Sequence, residues 1–373
     1  MIFAWIVLVA SAAWVGFAYI GYPVLLALLA RLSPRPIRRA DAAPSLTVVI
    51  AVHNGARQLA RKLEDTLALS YPRPFEVIVA SDGSTDGTDD VARAMAARGV
   101  RLVRNEPRQG KEAAQAAAIA TARTDVLVFT DLSAVLSPDA LIAIVRPFAD
   151  PTVGCVSSED RVENAGGEGT YVRMEMALRR WESEATTLVG LSGSFFAIRR
   201  ELCQPWPADL ASDFRSALET ARRGLRAVSE PAATASFGAI ESSASEWRRK
   251  VRTVRRGIAV LSAYRSLLHP RHGRVAFSLW GHKLARFTAP FALLLLFAAS
   301  ALAAPHDRLV ALLLAAQVAG YALGVSALLV PRVARFAPAR LLSFFLLVNA
   351  SMLAAWRHHW SGERAVIWEP TKR

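Results

Sequence analysis

The chain has 373 residues, of which 53% are hydrophobic, and it carries 45 Lys and Arg against 31 Asp and Glu. This apolar fraction, with only 21 Gly and 19 Pro, excludes a disordered chain, a collagen-like repeat and a coiled coil. The two cysteines, Cys155 and Cys203, are too few for a disulfide framework, so we expect two thiols in a reducing compartment. The net charge of +14 leaves three partner classes open: nucleic acid, anionic lipid or an anionic substrate such as a nucleotide-sugar.

The N-terminal segment Met1–Ala30 contains no Asp, Glu, Lys or Arg and exceeds the ~20 residues that a helix needs to cross a bilayer. No basic residue precedes the apolar run, which is also longer than the apolar region of a signal peptide. A retained transmembrane helix is therefore favoured over a cleaved signal. The positive-inside rule places the arginines that follow it in the cytoplasm: Arg31, Arg35, Arg38 and Arg39.

Three further apolar segments lie towards the C-terminus: Phe287–Ala304, Leu309–Val330 and Leu341–Trp356. The first two are long enough to span a bilayer, whereas the third is marginal. Three full crossings would leave a basic tail outside the cell, against the positive-inside rule. We expect one of the three segments, preferably the third, to lie in the membrane–water interface or to form a re-entrant segment. The number of spans stays open.

The composition divides the chain into four regions. These are an N-terminal anchor with its basic border (1–40), a cytoplasmic domain (41–245), a basic amphipathic interfacial region (246–285), and a C-terminal membrane region with a basic tail (286–373).

Within the cytoplasmic domain, short apolar runs alternate with helical patterns at nearly even intervals, which predicts βαβ units and a mostly parallel sheet in an α/β fold. The predicted strands are Leu46–Val52, Phe75–Ala80, Val100–Arg104, Val126–Thr130 and Val153–Ser158. The predicted helices between them are Ala56–Leu69, Asp89–Ala97, Glu112–Ala122 and Pro138–Phe148.

Polar residues follow three of these strands. His53 and Asn54 follow the first strand, Asp82 follows the second, and Asp131 follows the fourth. Each residue alone is compatible with an ordinary turn or helix cap. Because parallel sheets bind ligands beyond the carboxyl ends of their strands, three polar strand ends in one sheet indicate a ligand site.

A series of motifs extends in order from Leu46 to about Gly257: Thr47–Asn54, Val77–Ser84, Gly110–Lys111, Val128–Asp131, Leu191–Leu202, Ser212–Phe214, Ser229–Pro231 and Arg248–Arg252. The ordered set resembles the membrane-bound bacterial glycosyltransferases of family 2, which include cellulose, chitin and hyaluronan synthases. The resemblance implies a GT-A domain flanked by transmembrane helices. It also implies inverting transfer from a nucleotide-sugar, a UDP-sugar for preference, to a polysaccharide or lipid-linked acceptor at the bacterial inner membrane, in exopolysaccharide synthesis.

The resemblance also implies roles on the donor side. His53, Asn54 and Asp82 would bind the nucleotide-sugar, with Asp82 on the nucleoside, and Lys111 would place a positive charge near the nucleotide. Asp131 stands at the first acid of the family's DxD motif, which holds Mg²⁺ or Mn²⁺ against the diphosphate. Asp82 is also compatible with a turn former, and Lys111 with a surface lysine.

Three positions depart from the family pattern. Ser133 stands where the second acid of DxD is usual, Ser81 replaces the first acid of the pair ending strand two, and Ala116 replaces an Asn. Ser133 would be a weaker, neutral metal ligand beside Asp131. These departures leave an alternative function open, a catalytically impaired subunit that binds nucleotide-sugar or polymer and assists a partner synthase.

On the acceptor side, the resemblance makes Asp213 the general base and places Gly193 and Ser194 towards the acceptor. Asp213 precedes a predicted helix, Phe214–Gly224, so it is also compatible with an N-cap, and the helix N-terminus would favour the ionised carboxylate. Ser212 replaces the first acid of the usual pair.

The basic run Arg248–Arg256 has two interpretations that the sequence leaves open. By resemblance, Arg249 and Arg252 match the QxxRW motif that contacts the diphosphate, although neither the Gln nor the Trp is present. Alternatively, an amphipathic helix lies on anionic lipid headgroups, with Trp247 and Trp280 near the interface. The arginines cluster beside apolar segments and in one helix, which argues against nucleic acid. The expected partners are the donor, the acceptor, membrane lipids and other polysaccharide-synthesis proteins.

Overall fold

The computed structural model describes residues 2–163, 167–238 and 243–362 of the chain. These residues form two compact units. The helical unit contains residues 2–25, 243–261 and 279–362, and the sheet unit contains the described residues of 26–238 together with 262–278.

Helices and strands alternate through the middle of the chain and helices alone form both ends. The helices are α1 (Ile2–Gly16), α2 (Tyr22–Leu32), α3 (Ala56–Leu67), α4 (Thr88–Ala94), α5 (Lys111–Thr121), α6 (Ala140–Val145), α7 (Gly167–Ala185), α8 (Ser212–Arg222), α9 (Ser243–Ala263), α10 (Arg274–Ser278), α11 (Ala285–Ala303), α12 (Arg308–Leu329) and α13 (Ala337–Trp360). The strands are β1 (Leu46–Val52), β2 (Glu76–Asp82), β3 (Val100–Asn105), β4 (Val126–Thr130), β5 (Val135–Leu136), β6 (Val153–Glu163), β7 (Phe195–Arg199) and β8 (Arg226–Gly238).

Four helices among the described residues are long and apolar enough to cross a membrane. The third C-terminal segment, marginal in the sequence, is one of them, because α13 continues beyond its apolar run at both ends to a length of 24 residues. The four candidate spans are Ile2–Leu32, Arg274–His306, Arg308–Leu329 and Ala337–Trp360.

Polar side chains inside the helical unit find partners on neighbouring helices. The Trp14 indole nitrogen donates to the Thr288 hydroxyl at 3.0 Å, and the Tyr19 hydroxyl donates to Asn349 Oδ1 at 3.0 Å. Large apolar side chains remain exposed, for example Leu309 at 76% and Leu329 at 75%. Internally satisfied polar groups beneath an apolar surface are typical of helices that face lipid.

The sheet unit is organised around one sheet with strand order β3-β2-β1-β4-β7-β6-β8-β5. Strands β1 to β4 pair in parallel, as do β6 and β8. Strand β7 runs antiparallel between β4 and β6, and β5 pairs antiparallel with β8. The α/β class is confirmed, and β5 and β7 make the sheet a mixed one.

Both faces of the sheet are covered, so its central strands are buried throughout. In β1, Val48, Ile50 and Val52 join a core cluster on one face, and Val49 and Ala51 join a second cluster on the other. This alternation follows from the two-residue period of a strand. Helices α3 and α6 contribute to the first cluster, and α5 contributes to the second. The parallel ends of β1, β2 and β4 therefore lie side by side at one edge.

The two cysteines are free thiols buried in the sheet unit. Burial raises the pKa of both Cys155 and Cys203 to about 12, which keeps them protonated and unreactive at neutral pH.

Candidate active site

A lysine at the carboxyl edge of the sheet contacts one aspartate and is influenced by the charge of a second. Lys111, the first residue of α5, donates through Nζ to Asp131 Oδ1 at 2.5 Å. Burial by itself lowers the pKa of Lys111, but the charges of Asp131, Glu112 and Asp213 outweigh burial and hold that pKa above its ordinary value. Lys111 is therefore a permanent cation, and it brings the predicted metal ligand and the predicted base into one electrostatic cluster.

The loop that carries Lys111 is fastened to the end of β2 by Asp82. The Asp82 carboxylate, 1% exposed, accepts from the backbone N–H of Gln109 at 2.8 Å and of Gly110 at 2.9 Å. Gly110 adopts φ 103°, a left-handed conformation that favours glycine. In the structure Asp82 thus positions Lys111, and its predicted contact with the nucleoside stays a prediction.

His53 and Asn54 connect the end of β1 to the turn after β2. His53 Nδ1 lies 2.7 Å from the carbonyl oxygen of Asp82, so this nitrogen must carry the proton and donate. Asn54, at φ 50°, accepts through Oδ1 from the backbone N–H of Thr85 at 2.8 Å. Both residues therefore stand at the predicted edge, where they fix the two loops against each other.

The turn before β7 reaches the same edge because β7 runs antiparallel to β4. The backbone N–H of Asp131 donates to the carbonyl oxygen of Ser194 at 2.9 Å. A Cβ atom on Gly193 would lie 3.0 Å from Asp213 Oδ2, which is closer than nearly all real Cβ contacts. Glycine at 193 thus allows this turn to approach the carboxylate of Asp213, which sits in the first turn of α8.

Sequence reasoning missed Asp160, which shapes this turn. Asp160 Oδ1 accepts from the hydroxyls of Ser192 at 2.5 Å and Ser194 at 2.6 Å. Strand β6 continues past the apolar run Val153–Ser158, and Asp160 lies in that polar continuation. Two acidic residues directly after a predicted strand were the signal that could have found it.

Lys62 on α3 was also missed, because a lysine in an amphipathic helix is usually solvated. It is 5% exposed, and its Nζ donates to Thr130 Oγ1 at 3.0 Å and to the carbonyl oxygen of Ala134 at 2.6 Å. These contacts bracket the turn that holds Asp131. Burial lowers the pKa of Lys62 to about 8, against the opposing charges of Asp131 and Asp65.

Replacing Lys62 with Met is expected to remove a pH-dependent part of the stability. Between about pH 8 and 10.5 the unfolded chain binds more protons than the folded one, so the free energy of unfolding rises with pH. The rise is about 3 kcal/mol at most. Thermal unfolding of the full chain in detergent, measured from pH 7 to 10.5, should show this rise in the free energy of unfolding for the native protein and not for Lys62→Met. Arg61→Met, at an exposed neighbour on α3, is the control, and equal rises in the native protein and Lys62→Met would contradict the prediction.

Residues 47–205 match the family model described as glycosyl transferase family 2. This stretch of the chain is similar to the glycosyltransferases of family 2. The match contains every predicted donor-side residue from His53 to Ser133 as well as Gly193 and Ser194, and it ends before Asp213.

The sheet unit has the GT-A fold of glycosyltransferases. The solved structure of the mannosyltransferase PcManGT from Pyrobaculum calidifontis, in complex with GDP-Man and Mn²⁺, superimposes with a TM-score of 0.74 at 26% identity. The superposition covers 96% of this chain and 100% of PcManGT.

Two curated relatives match shorter stretches. The uncharacterized protein MT1568 of Mycobacterium tuberculosis is 33% identical over 123 residues, which are 33% of this chain and 38% of that protein. The succinoglycan biosynthesis protein ExoO of Rhizobium meliloti is 29% identical over 134 residues, 36% of this chain and 38% of ExoO. The chain thus spans little more than a third of the length of either relative.

The donor atoms present in the domain suit a hard divalent cation. Asp131 Oδ1 is bonded to Lys111, while Oδ2 has no partner in the described part of the chain, and the Asp131 side chain is 37% exposed. Ser133, two residues on, is exposed and adds a hydroxyl oxygen. Within the described ranges, no three His, Cys, Asp or Glu residues cluster as metal ligands. Mg²⁺ and Mn²⁺ accept such a sparse set of oxygen ligands when phosphates and water complete it.

Arg249 and Arg252 lie on α9 in the helical unit. Both have interactions within the chain, so neither is a free cation. Their predicted contact with the diphosphate, and the alternative of a lipid-facing helix, both stay predictions.

Proposed function

We propose that the protein is an inverting glycosyltransferase that moves a sugar from a nucleotide-sugar, a UDP-sugar for preference, to a polysaccharide or lipid-linked acceptor at the inner membrane. The observation that carries the proposal is the cluster of Asp131, Lys111 and Asp213 at the carboxyl edge of a family 2 domain. GDP-Man in the PcManGT complex supports a nucleotide-sugar donor. The name of ExoO supports a role in cell-surface polysaccharide synthesis.

Asp213 is the proposed base. Its Oδ1 accepts from the backbone N–H of Phe214 at 2.8 Å, which leaves Oδ2 towards the turn at Gly193. An acceptor hydroxyl there would give its proton to Asp213 while its oxygen attacks the anomeric carbon. The bond from that carbon to the diphosphate oxygen breaks, and a single displacement inverts the anomeric centre.

Lys111 and Asp131 are proposed to serve the leaving group. The Lys111 ammonium offers a fixed positive charge to the diphosphate as negative charge develops on it. Asp131, with Ser133, would hold a divalent cation, which supplies further neutralisation of the diphosphate when bound. Asp82 contributes by holding the Lys111 loop in place before the donor arrives.

One departure from the family pattern is compensated locally, which weighs against an impaired subunit. The buried Ser81 hydroxyl donates to Asp89 Oδ1 at 2.6 Å, so Asp89 brings a carboxylate next to the position where the family has an acid. Arg104 in turn pairs with Asp89. Ser133 and Ala116 have no such replacement among the contacts of the described residues, and the binding-subunit alternative rests on these two.

The test is a thermal-shift screen of the full chain in detergent against UDP-sugars and GDP-mannose, with and without Mn²⁺. A ligand at about 100 times its Kd should stabilise the folded state by about 2.7 kcal/mol. Donors that bind are then incubated with membrane lipid extract, and labelled product is measured.

Three outcomes separate the hypotheses. Stabilisation by a donor followed by product formation supports the transferase. Tight binding of a donor without turnover on any acceptor supports the binding subunit. Failure of every nucleotide-sugar to stabilise the protein contradicts the transferase and a subunit that binds nucleotide-sugar, and leaves only a polymer-binding subunit.

A further inference from the structure

A small basic cavity lies in the sheet unit, close to where the chain leaves α2. Its volume is about 140 Å³, well below the ~300–1,000 Å³ of pockets that enclose a whole small-molecule ligand. Three segments line it: the linker 34–39, the C-terminal part of α7, and the middle of β8. The lining side chains that can donate hydrogen bonds to an anion are Arg35, Arg39, Arg180, Ser183 and Ser229.

The linker is held rigidly where it passes the cavity. The backbone N–H of Arg35 donates to the carbonyl oxygen of Glu184 at 2.7 Å, and Arg226 Nη2 donates to the carbonyl oxygen of Arg35 at 3.0 Å. Pro34 and Pro36 flank Arg35 and restrict the backbone on both sides. Arg35 is therefore presented to the cavity from a preorganised backbone.

Two of the three arginines that line the cavity form ion pairs with other described residues, and the third does not. Arg39 Nε pairs with Glu230 at 2.8 Å, and Arg180 pairs with Glu159 through two nitrogens. Within the part of the chain that the structure describes, the exposed Arg35 guanidinium forms no hydrogen bond or ion pair. Of the residues lining the cavity, Glu184 is the acidic one, and Arg35 is the one arginine of the lining without an ion pair among the described residues.

A fourth arginine behind the cavity, Arg226, donates to backbone carbonyl oxygens and adds positive charge without an ion pair among the described residues. Burial, together with the neighbouring charges of Arg35, Arg274 and Arg39, lowers the pKa of Arg226 to about 10, while Asp150 opposes the change. An anion in the cavity would relieve this repulsion. Ser229 is 2% exposed, and its hydroxyl has no hydrogen-bond partner among the described residues, so it is available to a ligand oxygen.

The position of the cavity along the chain indicates where such an anion comes from. Helix α2 ends at Leu32, which is 82% exposed, and the cavity begins two residues later at Pro34. Two extended residues cover only about 7 Å. If the candidate span Ile2–Leu32 crosses a bilayer, this short connection keeps Pro34 and Arg35 within reach of the headgroups.

We propose that this cavity binds the phosphate group of an anionic lipid headgroup, with Arg35 as its principal cation. Inorganic phosphate has the same chemistry, so the experiment must separate the two sources. The proposal does not depend on sugar transfer, because none of the lining residues belongs to the candidate active site.

The test measures binding to the full chain in a neutral detergent by titration calorimetry with three probes: dihexanoyl phosphatidic acid, dihexanoyl phosphatidylcholine and inorganic phosphate. Phosphatidic acid should bind most tightly. Arg35→Gln should weaken its binding about fivefold, which corresponds to about 1 kcal/mol for one arginine at an anionic headgroup. Arg38→Gln removes the same charge from the same linker but not from the cavity lining, so it should change the affinity little.

Equal losses in Arg35→Gln and Arg38→Gln would overturn the proposal, because they would reveal attraction by overall charge. Inorganic phosphate binding as tightly as phosphatidic acid would overturn the lipid assignment. Unfolding temperature and donor binding, measured on both variants, should match the native protein, since the Arg35 side chain is exposed and without a partner in the described residues. A failure of this proposal is thereby distinguishable from a failure of the proposed transferase.

Discussion

Asp213→Asn should lower the rate of sugar transfer by about 10²–10⁴-fold, the range that a general base contributes. Asn has nearly the shape of Asp but cannot accept the proton of an attacking hydroxyl. Asp160, the other carboxylate at this turn, already accepts from the hydroxyls of Ser192 and Ser194, whereas Asp213 Oδ2 lies against Gly193. The measurement is product formation at saturating donor, with donor affinity determined separately.

Two controls separate chemistry from folding in this prediction. Losing a negative charge in the first turn of α8 should cost only about 0.3–1 kcal/mol of stability, so the unfolding temperature should change little. Asp139→Asn makes the same change just before α6, at an exposed position, and should leave transfer intact. Undiminished turnover in Asp213→Asn would remove Asp213 as the base.

Asp131→Asn should lower transfer by about 10²–10³-fold, comparable to the loss of one preorganised electrostatic contact to a developing charge. Asn can still accept from Lys111 Nζ, so the 2.5 Å contact can persist while the negative charge disappears. The affinity of a nucleoside diphosphate should then no longer rise when Mn²⁺ is added. Calorimetric titration with and without Mn²⁺ measures this.

Matched variants make the Asp131 prediction specific. Asp125→Asn removes an exposed carboxylate at the opposite end of β4 and should retain the response to Mn²⁺. Ser133→Asp restores the second acid of the family motif. It should increase the affinity for Mn²⁺ if residue 133 is a metal ligand. A full Mn²⁺ response in Asp131→Asn would exclude Asp131 as a metal ligand.

Local patterning determined most of the elements that carry the donor-side residues. The predicted strands Leu46–Val52 and Val126–Thr130 are the observed β1 and β4, and the helix predicted at Glu112–Ala122 differs from α5 by one residue at each end. These segments were predictable because a buried parallel strand is a continuous apolar run and a covering helix has a regular apolar face. Their parallel order then brings the strand ends together at one edge.

The acceptor side of the site depends on how β7 pairs with other strands, and no local sequence pattern reveals that pairing. Strand β7 lies between β4 and β6 and runs antiparallel to both, although it follows β6 in the chain. That insertion brings Ser194 within 2.9 Å of Asp131, 63 positions earlier in the sequence. Apolar periodicity indicates that a strand is buried but not which strands it pairs with. The acceptor-side residues were therefore predictable only from the family resemblance.

The sequence by itself determined the α/β class, the apolar blocks at both ends and the row of polar strand ends, since each depends on residues close together in the chain. Only the tertiary structure decided what those polar groups contact. It placed Lys111 against Asp131 and within reach of the charge of Asp213, set Asp82 on the backbone of Gly110, and buried Lys62 beneath the Asp131 turn. It also showed that the basic border after α2 lines a cavity. The physical reason is that hydrogen bonds and charge interactions act over a few ångströms of space, and folding alone sets which distant residues share that space.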